Sequence, residues 1–156
     1  MTRLPSPRPT PGARHENPSD ARGWTNVLAE VPIFADLGRR NLKKVAGAGR
    51  MVRFSDGAPI IRAGTPGDAL YVLVDGKVSV HRRGLSSVPL GIGSFFGEMA
   101  LFDDSPRSAS VVADGPSVCL VITRARFHKL LRAEPAIAIG LLKELARRLR
   151  VAQATD

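Results

Sequence analysis

Cysteine is nearly missing from this chain. Cys119 stands alone among 156 residues, so an internal disulfide is impossible and a reducing cytoplasm is the expected setting. Aromatic residues are few, with one Trp, one Tyr and six Phe. No apolar run approaches the roughly 20 residues that a membrane-spanning helix requires. The opening MTRLPSPRPTPGARHENPSD also lacks the apolar stretch of a secretory signal. The histidines, His15, His81 and His128, fall in a tail, a strand and a helix, with no spacing for a metal. Cys119 has no histidine beside it and sits in VCLVI, the setting of a buried filler and not of a nucleophile. A metalloenzyme and a thiol enzyme are therefore not expected, nor is a cofactor.

What is present fits one globular domain: 44% hydrophobic and 24% charged residues over a length that supports a single core. The net charge of +9 is unevenly placed. Residues 1–22 and 23–123 each carry +2, residues 124–150 carry +6, and Asp156 removes one. The excess thus lies on the last helices, where a solvated face or an acidic partner would account for it.

Residues 1–22 hold Pro5, Pro7, Pro9, Pro11 and Pro18 and almost no large apolar side chain, so a disordered tail is expected there. The folded domain is expected over 23–152, with a short tail at 153–156. Trp24, Val27, Leu28 and Val31 follow a helical period that Pro32 ends. A second helix is expected from Arg39 to Ala48, with Leu42, Val45 and Ala46 inward.

From Met51 to Ile122 the signal is β: MVRF, APIIRA, ALYVLV, KVSVHR, SVPLGI, SASVVA and SVCLVI, separated by turn residues. Asp75-Gly76 between ALYVLV and KVSVHR predicts a tight hairpin with a type I′ turn. Leu70, Val72 and Val74 alternate with Tyr71 and Leu73, which predicts a strand buried on both faces. After Thr123 two helices follow, RARFHKLLRAE and AIAIGLLKELARRLRVAQ. The second is expected to carry an apolar stripe of Ala138, Leu141, Leu142, Leu145 and Leu149, with Arg148 at its border and Lys143, Arg147 and Arg150 opposite. The fold class is mainly β with flanking helices: an antiparallel, jelly-roll-like β-roll with N-terminal helices and two C-terminal helices.

Residues 94–111, SFFGEMALFDDSPRSASV, do not read as a strand. Gly97 frees the backbone, EMAL supplies a turn of helix, DDSP loops, and Arg107 is expected to open the next strand. A helical turn beginning at a glycine offers unpaired N–H groups to an anion. Arg107 adds a two-pronged phosphate grip, Ser108 a hydroxyl, and Glu98 an acceptor for a sugar hydroxyl. Together they point to a ligand with both a phosphate and a free ribose hydroxyl. Glu98 and Arg107 as a surface ion pair is the competing interpretation.

F-G-E-M-A-L followed by P-R-S-A-S-V resembles the phosphate-binding cassette of cyclic-nucleotide-binding domains, found in catabolite-activator-type regulators, regulatory subunits of cyclic-AMP-dependent kinase and cyclic-nucleotide-gated channels. VPIFADL before the roll, IIRAGTPGDALYVLVDGKVSV within it and the two helices after it extend the resemblance from about Leu28 to Val151. The resemblance implies that Arg107 pairs with the cyclic phosphate, aided by Ser108 and by backbone amides from Gly97 through Glu98 and Met99 to Ala100. It implies that Glu98 accepts the ribose 2′-hydroxyl and that the last helix moves over the pocket.

Two base-reading devices of the family are absent. Residues 136–151 contain no Ser or Thr, and the only aromatic residue after Phe102 is Phe127. Arg148 is the candidate base lid, with an ordinary exposed arginine as the alternative. Ser108 stands where some family members use Thr to favour guanine, so cyclic AMP and cyclic GMP both remain open, with bacterial family habit favouring cyclic AMP. The expected function is a cytoplasmic cyclic-nucleotide sensor, not an enzyme, acting on an unknown protein effector in an undetermined oligomeric state. The alternatives are a basic nucleic-acid-binding or transcription-regulator-type protein using the last helix, or the detached sensor domain of a channel. Nucleic acid is the less expected partner, because the sequence ends six residues after Arg150, where catabolite-activator relatives continue into a helix-turn-helix domain.

Overall fold

A computed structural model describes residues 21–98, 101–102 and 106–154. The expected tails at 1–22 and 153–156 fall mostly outside them, and Met99 and Ala100 of the cassette lie outside them entirely. Helix α1 (Ala21–Ala29) leads to a 3-10 turn (Pro32–Phe34), and α2 spans Arg39–Ala48 as the sequence predicts. Eight strands follow among the described residues: β1 (Arg50–Phe54), β2 (Pro59–Ile61), β3 (Ala69–Asp75), β4 (Val78–His81), β5 (Val88–Leu90), β6 (Phe95–Phe96), β7 (Ser110–Ala113) and β8 (Ser117–Thr123). Helices α3 (Arg124–Ala133) and α4 (Pro135–Ala154) close the chain.

The strands form two four-stranded antiparallel sheets, β1-β8-β3-β6 and β2-β7-β4-β5. The first sheet is the middle layer, and its period-2 alternation feeds two cores. Leu70, Val72 and Val74 of β3, with Val118, Leu120 and Ile122 of β8, pack on Leu28, Phe34, Val45, Phe127 and Ile137 of the helical layer. Tyr71 and Leu73, with Cys119, face Val78, Val111 and Ala113 of the second sheet. β3 is thus apolar on both faces because both faces are covered. Cys119 is fully buried, and burial pushes its thiol up to about 12, so it packs as an apolar group.

All seven β-runs form strands within one or two residues of their expected bounds, but their connections differ from the local reading. β3 and β4 do not form a hairpin. Both hydrogen-bonding edges of β3 are taken, by β8 and by β6, so after Gly76 the chain crosses into the second sheet and pairs with β5 and β7. Ser117 secures the crossing: its Oγ accepts from the Lys77 N–H at 3.2 Å and donates to the Lys77 carbonyl at 2.9 Å. Only Gly76 of the Asp75-Gly76 pair has positive φ, +87°, so the turn is not type I′.

Segment 94–111 also contains a strand, contrary to expectation. β6 is two residues long and exists through its pairing with β3, with Phe96 stacked on Tyr71 at 5.4 Å between ring centroids. Arg107 does not open the next strand either; β7 starts three residues later, at Ser110.

Helix α4 is rotated from its expected setting. Its buried residues are Ile137, Gly140, Leu141 and Glu144, whereas Leu142 and Leu149 are 66% and 60% exposed. Gly140 sets the rotation, because a Cβ there would lie 2.8 Å from the Ile33 carbonyl oxygen. The helix therefore presses its glycine onto the 3-10 turn, and Arg148, two turns on, falls on the inward side.

Candidate functional site

The site is built where β6 ends. Gly97 adopts φ +84°, a conformation that L side chains rarely take, and turns the chain away from β3. Its carbonyl accepts from Arg107 Nη1 at 2.8 Å, and the Ala69 carbonyl accepts from Arg107 Nη2 at 3.0 Å. A Cβ on Gly97 would stand 2.5 Å from Arg107 Nη1. Gly97 thus answers both a turn requirement and a need for close approach.

Arg107 is held at its backbone too. Its N–H donates to the Thr65 carbonyl and its carbonyl accepts from the Gly64 N–H, each at 2.8 Å. Burial lowers the affinity of this half-buried guanidinium for its proton, and Tyr71, Asp68 and Glu98 oppose that shift. An arginine nevertheless stays cationic at neutral pH, and beyond its two bonds to carbonyls three of its five N–H donors have no partner among the described residues. Ser108, the next residue, is exposed and lines the same cavity.

Glu98 follows Gly97 with its side chain only 10% exposed. Its carbonyl accepts from the Leu101 N–H at 3.1 Å. From α3, the Nε2–H of His128 donates to the Leu101 carbonyl at 2.8 Å. Glu98 and Arg107 do not pair as a surface salt bridge. Both line one cavity of about 1080 Å³, bounded by Val80 and Val88 of the second sheet, Ser108, and Arg147 and Arg148 of α4.

Arg148 meets the rest of the site directly. Its Nη1 donates to Glu98 Oε1 at 2.6 Å and its Nη2 to the Phe95 carbonyl at 3.3 Å, while its guanidinium lies over the Phe95 ring at 4.4 Å. It lies beside Leu141 and Leu145 at the border of the packed face, as expected, and is not an ordinary surface arginine. One turn earlier, Glu144 is 8% exposed and takes Arg147 in a two-pronged bond at 3.0 and 2.6 Å, with Arg148 Nε at 3.4 Å. The Arg147 hydrogen bonds hold the Glu144 carboxyl below the usual carboxylate range, with burial opposing and the charges of both arginines assisting.

Sequence reasoning missed Glu144, Phe95 and the Ala69 carbonyl. Glu144 alone left a signal: it is the only acid between Pro135 and Arg150, one turn before Arg147 and Arg148.

A profile of the cyclic nucleotide-binding domain matches residues 51–134, more than half of the chain. The chain belongs to the cyclic nucleotide-binding domain family. It is 41% identical over 117 residues to a cyclic nucleotide-gated potassium channel of Mesorhizobium japonicum, covering 75% of this chain and 32% of the channel. Among solved structures, the catabolite activator protein of Thermus thermophilus superposes with TM-score 0.75 at 35% identity, over 80% of this chain and 61% of that one. A cyclic nucleotide-binding domain from Methylobacillus flagellatus superposes with TM-score 0.78 at 24% identity, over 93% and 88%, and shows the shared fold. The chain thus spans about a third of the channel and under two thirds of the activator. As a cyclic nucleotide-binding domain it has the family's β-roll with flanking helices, and the family's members are regulatory, not catalytic. No helix among the described residues is long and apolar enough to cross a membrane.

Proposed function

We propose that this domain senses a 3′,5′-cyclic nucleotide, cyclic AMP in preference to cyclic GMP, and that the ligand shifts α4 between positions that an effector protein reads. The observation that carries the proposal is the shared cavity of Glu98 and Arg107 on either side of the Gly97 turn. A guanidinium with unspent donors suits the single negative charge of a cyclic phosphate, and a nearly buried carboxylate suits a ribose hydroxyl. In this reading Arg107 binds the phosphate with Ser108 and the amides of Gly97, Glu98, Met99 and Ala100, while Glu98 holds the 2′-hydroxyl. Arg148, on the inward side of α4, is the candidate in this reading for contact with the base.

Preference for cyclic AMP follows bacterial family habit, with Ser108 compatible with either nucleotide. It is also supported by a similar structure at 27% identity and TM-score 0.70, a Toxoplasma gondii kinase regulatory domain in complex with cyclic AMP. A cytoplasmic setting suits the single, buried cysteine. The ligand moves α4 only by its differential affinity for the helix's two positions.

Calorimetric titration with cyclic AMP, cyclic GMP and 5′-AMP tests the binding claim. Saturable binding in the order cyclic AMP, cyclic GMP, 5′-AMP is expected; equal heats for all three, or none, overturn it. Spin labels on Leu149→Cys and Ser87→Cys test the movement, since Cys119 is buried and leaves the introduced sites selective. A ligand-dependent change in their distance is expected, and an unchanged distribution at saturation contradicts it.

A further inference from the structure

One unexpected contact reaches the Glu98 carboxylate. Its Oε1 accepts from Arg148 at 2.6 Å, whereas Oε2 accepts no hydrogen bond from the described residues. Arg148 is itself held from three sides: the Phe95 carbonyl at 3.3 Å, the Phe95 ring at 4.4 Å and Glu144 at 3.4 Å. Glu144 is in turn fixed by Arg147. A series Arg147–Glu144–Arg148–Glu98 therefore runs from the lid helix to the carboxylate beside the cavity.

We infer that Arg148 is a positioning residue for ribose recognition: by engaging Oε1 it aims Oε2 of Glu98 at the ligand's 2′-hydroxyl, so that this hydroxyl couples the nucleotide to α4. This rests on the reading of Glu98 as the ribose acceptor. A carboxylate offers several lone pairs on two oxygens, so one oxygen serves the guanidinium and the other the hydroxyl with no competition. The arrangement restricts rotation of the Glu98 side chain, and an acceptor held in place loses less freedom when the ligand arrives.

A base lid and a ribose-positioning residue predict different things. A lid that only stacks on the purine weakens ribo and 2′-deoxy ligands equally. A residue that acts through Glu98 changes the ratio between them.

The test is a set of titrations of the full chain, wild type and Arg148→Ala, with 3′,5′-cyclic AMP and its 2′-deoxy analogue. The wild type is expected to prefer the ribo ligand by about tenfold or more, and Arg148→Ala to cut that preference to within about threefold. Arg148→Lys provides a second variant should the alanine form fold poorly. An ammonium keeps the charge but lacks the fork that spans Glu98 and the Phe95 carbonyl, so it too is expected to lose most of the preference. An unchanged ratio in both variants overturns the inference, as does a ratio that rises, which would make Arg148 a competitor for Glu98. A wild type that binds both ligands equally also overturns it, whereas binding of neither defeats the proposed function itself.

Discussion

At Gly97 two constraints fall on one residue, a φ of +84° and the seat of the Arg107 guanidinium. Gly97→Ala is therefore expected to cost about 1–2 kcal/mol in backbone strain and to displace Arg107 as well. Ligand affinity should drop by at least about tenfold while the circular dichroism spectrum stays native. An alanine variant that binds normally would show that the seat is not needed. Glu144 yields a pH prediction. Its carboxyl is depressed in the folded protein, so its contribution to stability is present above the ordinary carboxylate value of about 4.3 and is lost as pH falls through the lower folded value. Glu144→Gln is expected to flatten the stability profile in that acid window and to leave its shape near neutrality unchanged, as read by urea melts at several pH values. Gly97, Glu98 and Arg107 were legible because one short segment carries them with their spacing. Glu144 was not, because what makes it matter is the guanidinium of Arg148 folded back upon it, and whether that happens depends on how α4 is rotated.

Elements whose character is set within their own residues read well from sequence. α2 has its expected bounds, and β3 declared both buried faces through unbroken apolar alternation. Features set by partners far along the chain read poorly. Asp75-Gly76 has good hairpin chemistry, yet β6 and β8, which begin only at Phe95 and Ser117, occupy the edges that a hairpin would use. The exposed Leu142 and Leu149 misled in the same way, because the approach of Gly140 to Ile33, over 100 residues away, decides which stripe of α4 is buried. That contact is testable. Gly140→Ala puts a methyl 2.8 Å from the Ile33 carbonyl oxygen, so α4 must shift. A loss of about 1–3 kcal/mol in stability is expected, with a changed label distance from α4 to the roll before any ligand is added. A variant of unchanged stability and distance would mean that the helix is positioned by something else.

For the whole molecule, the +6 of residues 124–150 is already net of Glu134 and Glu144. Of its basic groups Arg147 is held by Glu144 within the segment, and Arg148 is further spent on Glu98 outside it. Binding to nucleic acid is accordingly expected to be weak and to fall steeply with salt, which a gel shift at two salt concentrations reads. A specific ligand should instead stabilise the whole cooperative unit. At a hundred times its dissociation constant it adds about 2.7 kcal/mol, which for a domain of this size raises Tm by roughly 5–10 °C.

The account turns on Arg107, so the most direct measurement is calorimetric titration of cyclic AMP into wild type and Arg107→Ala side by side. One saturable site in the wild type, weakened by about 100-fold or more in the variant, is the predicted result. Equal affinity in the two proteins, or no binding by the wild type, would contradict it.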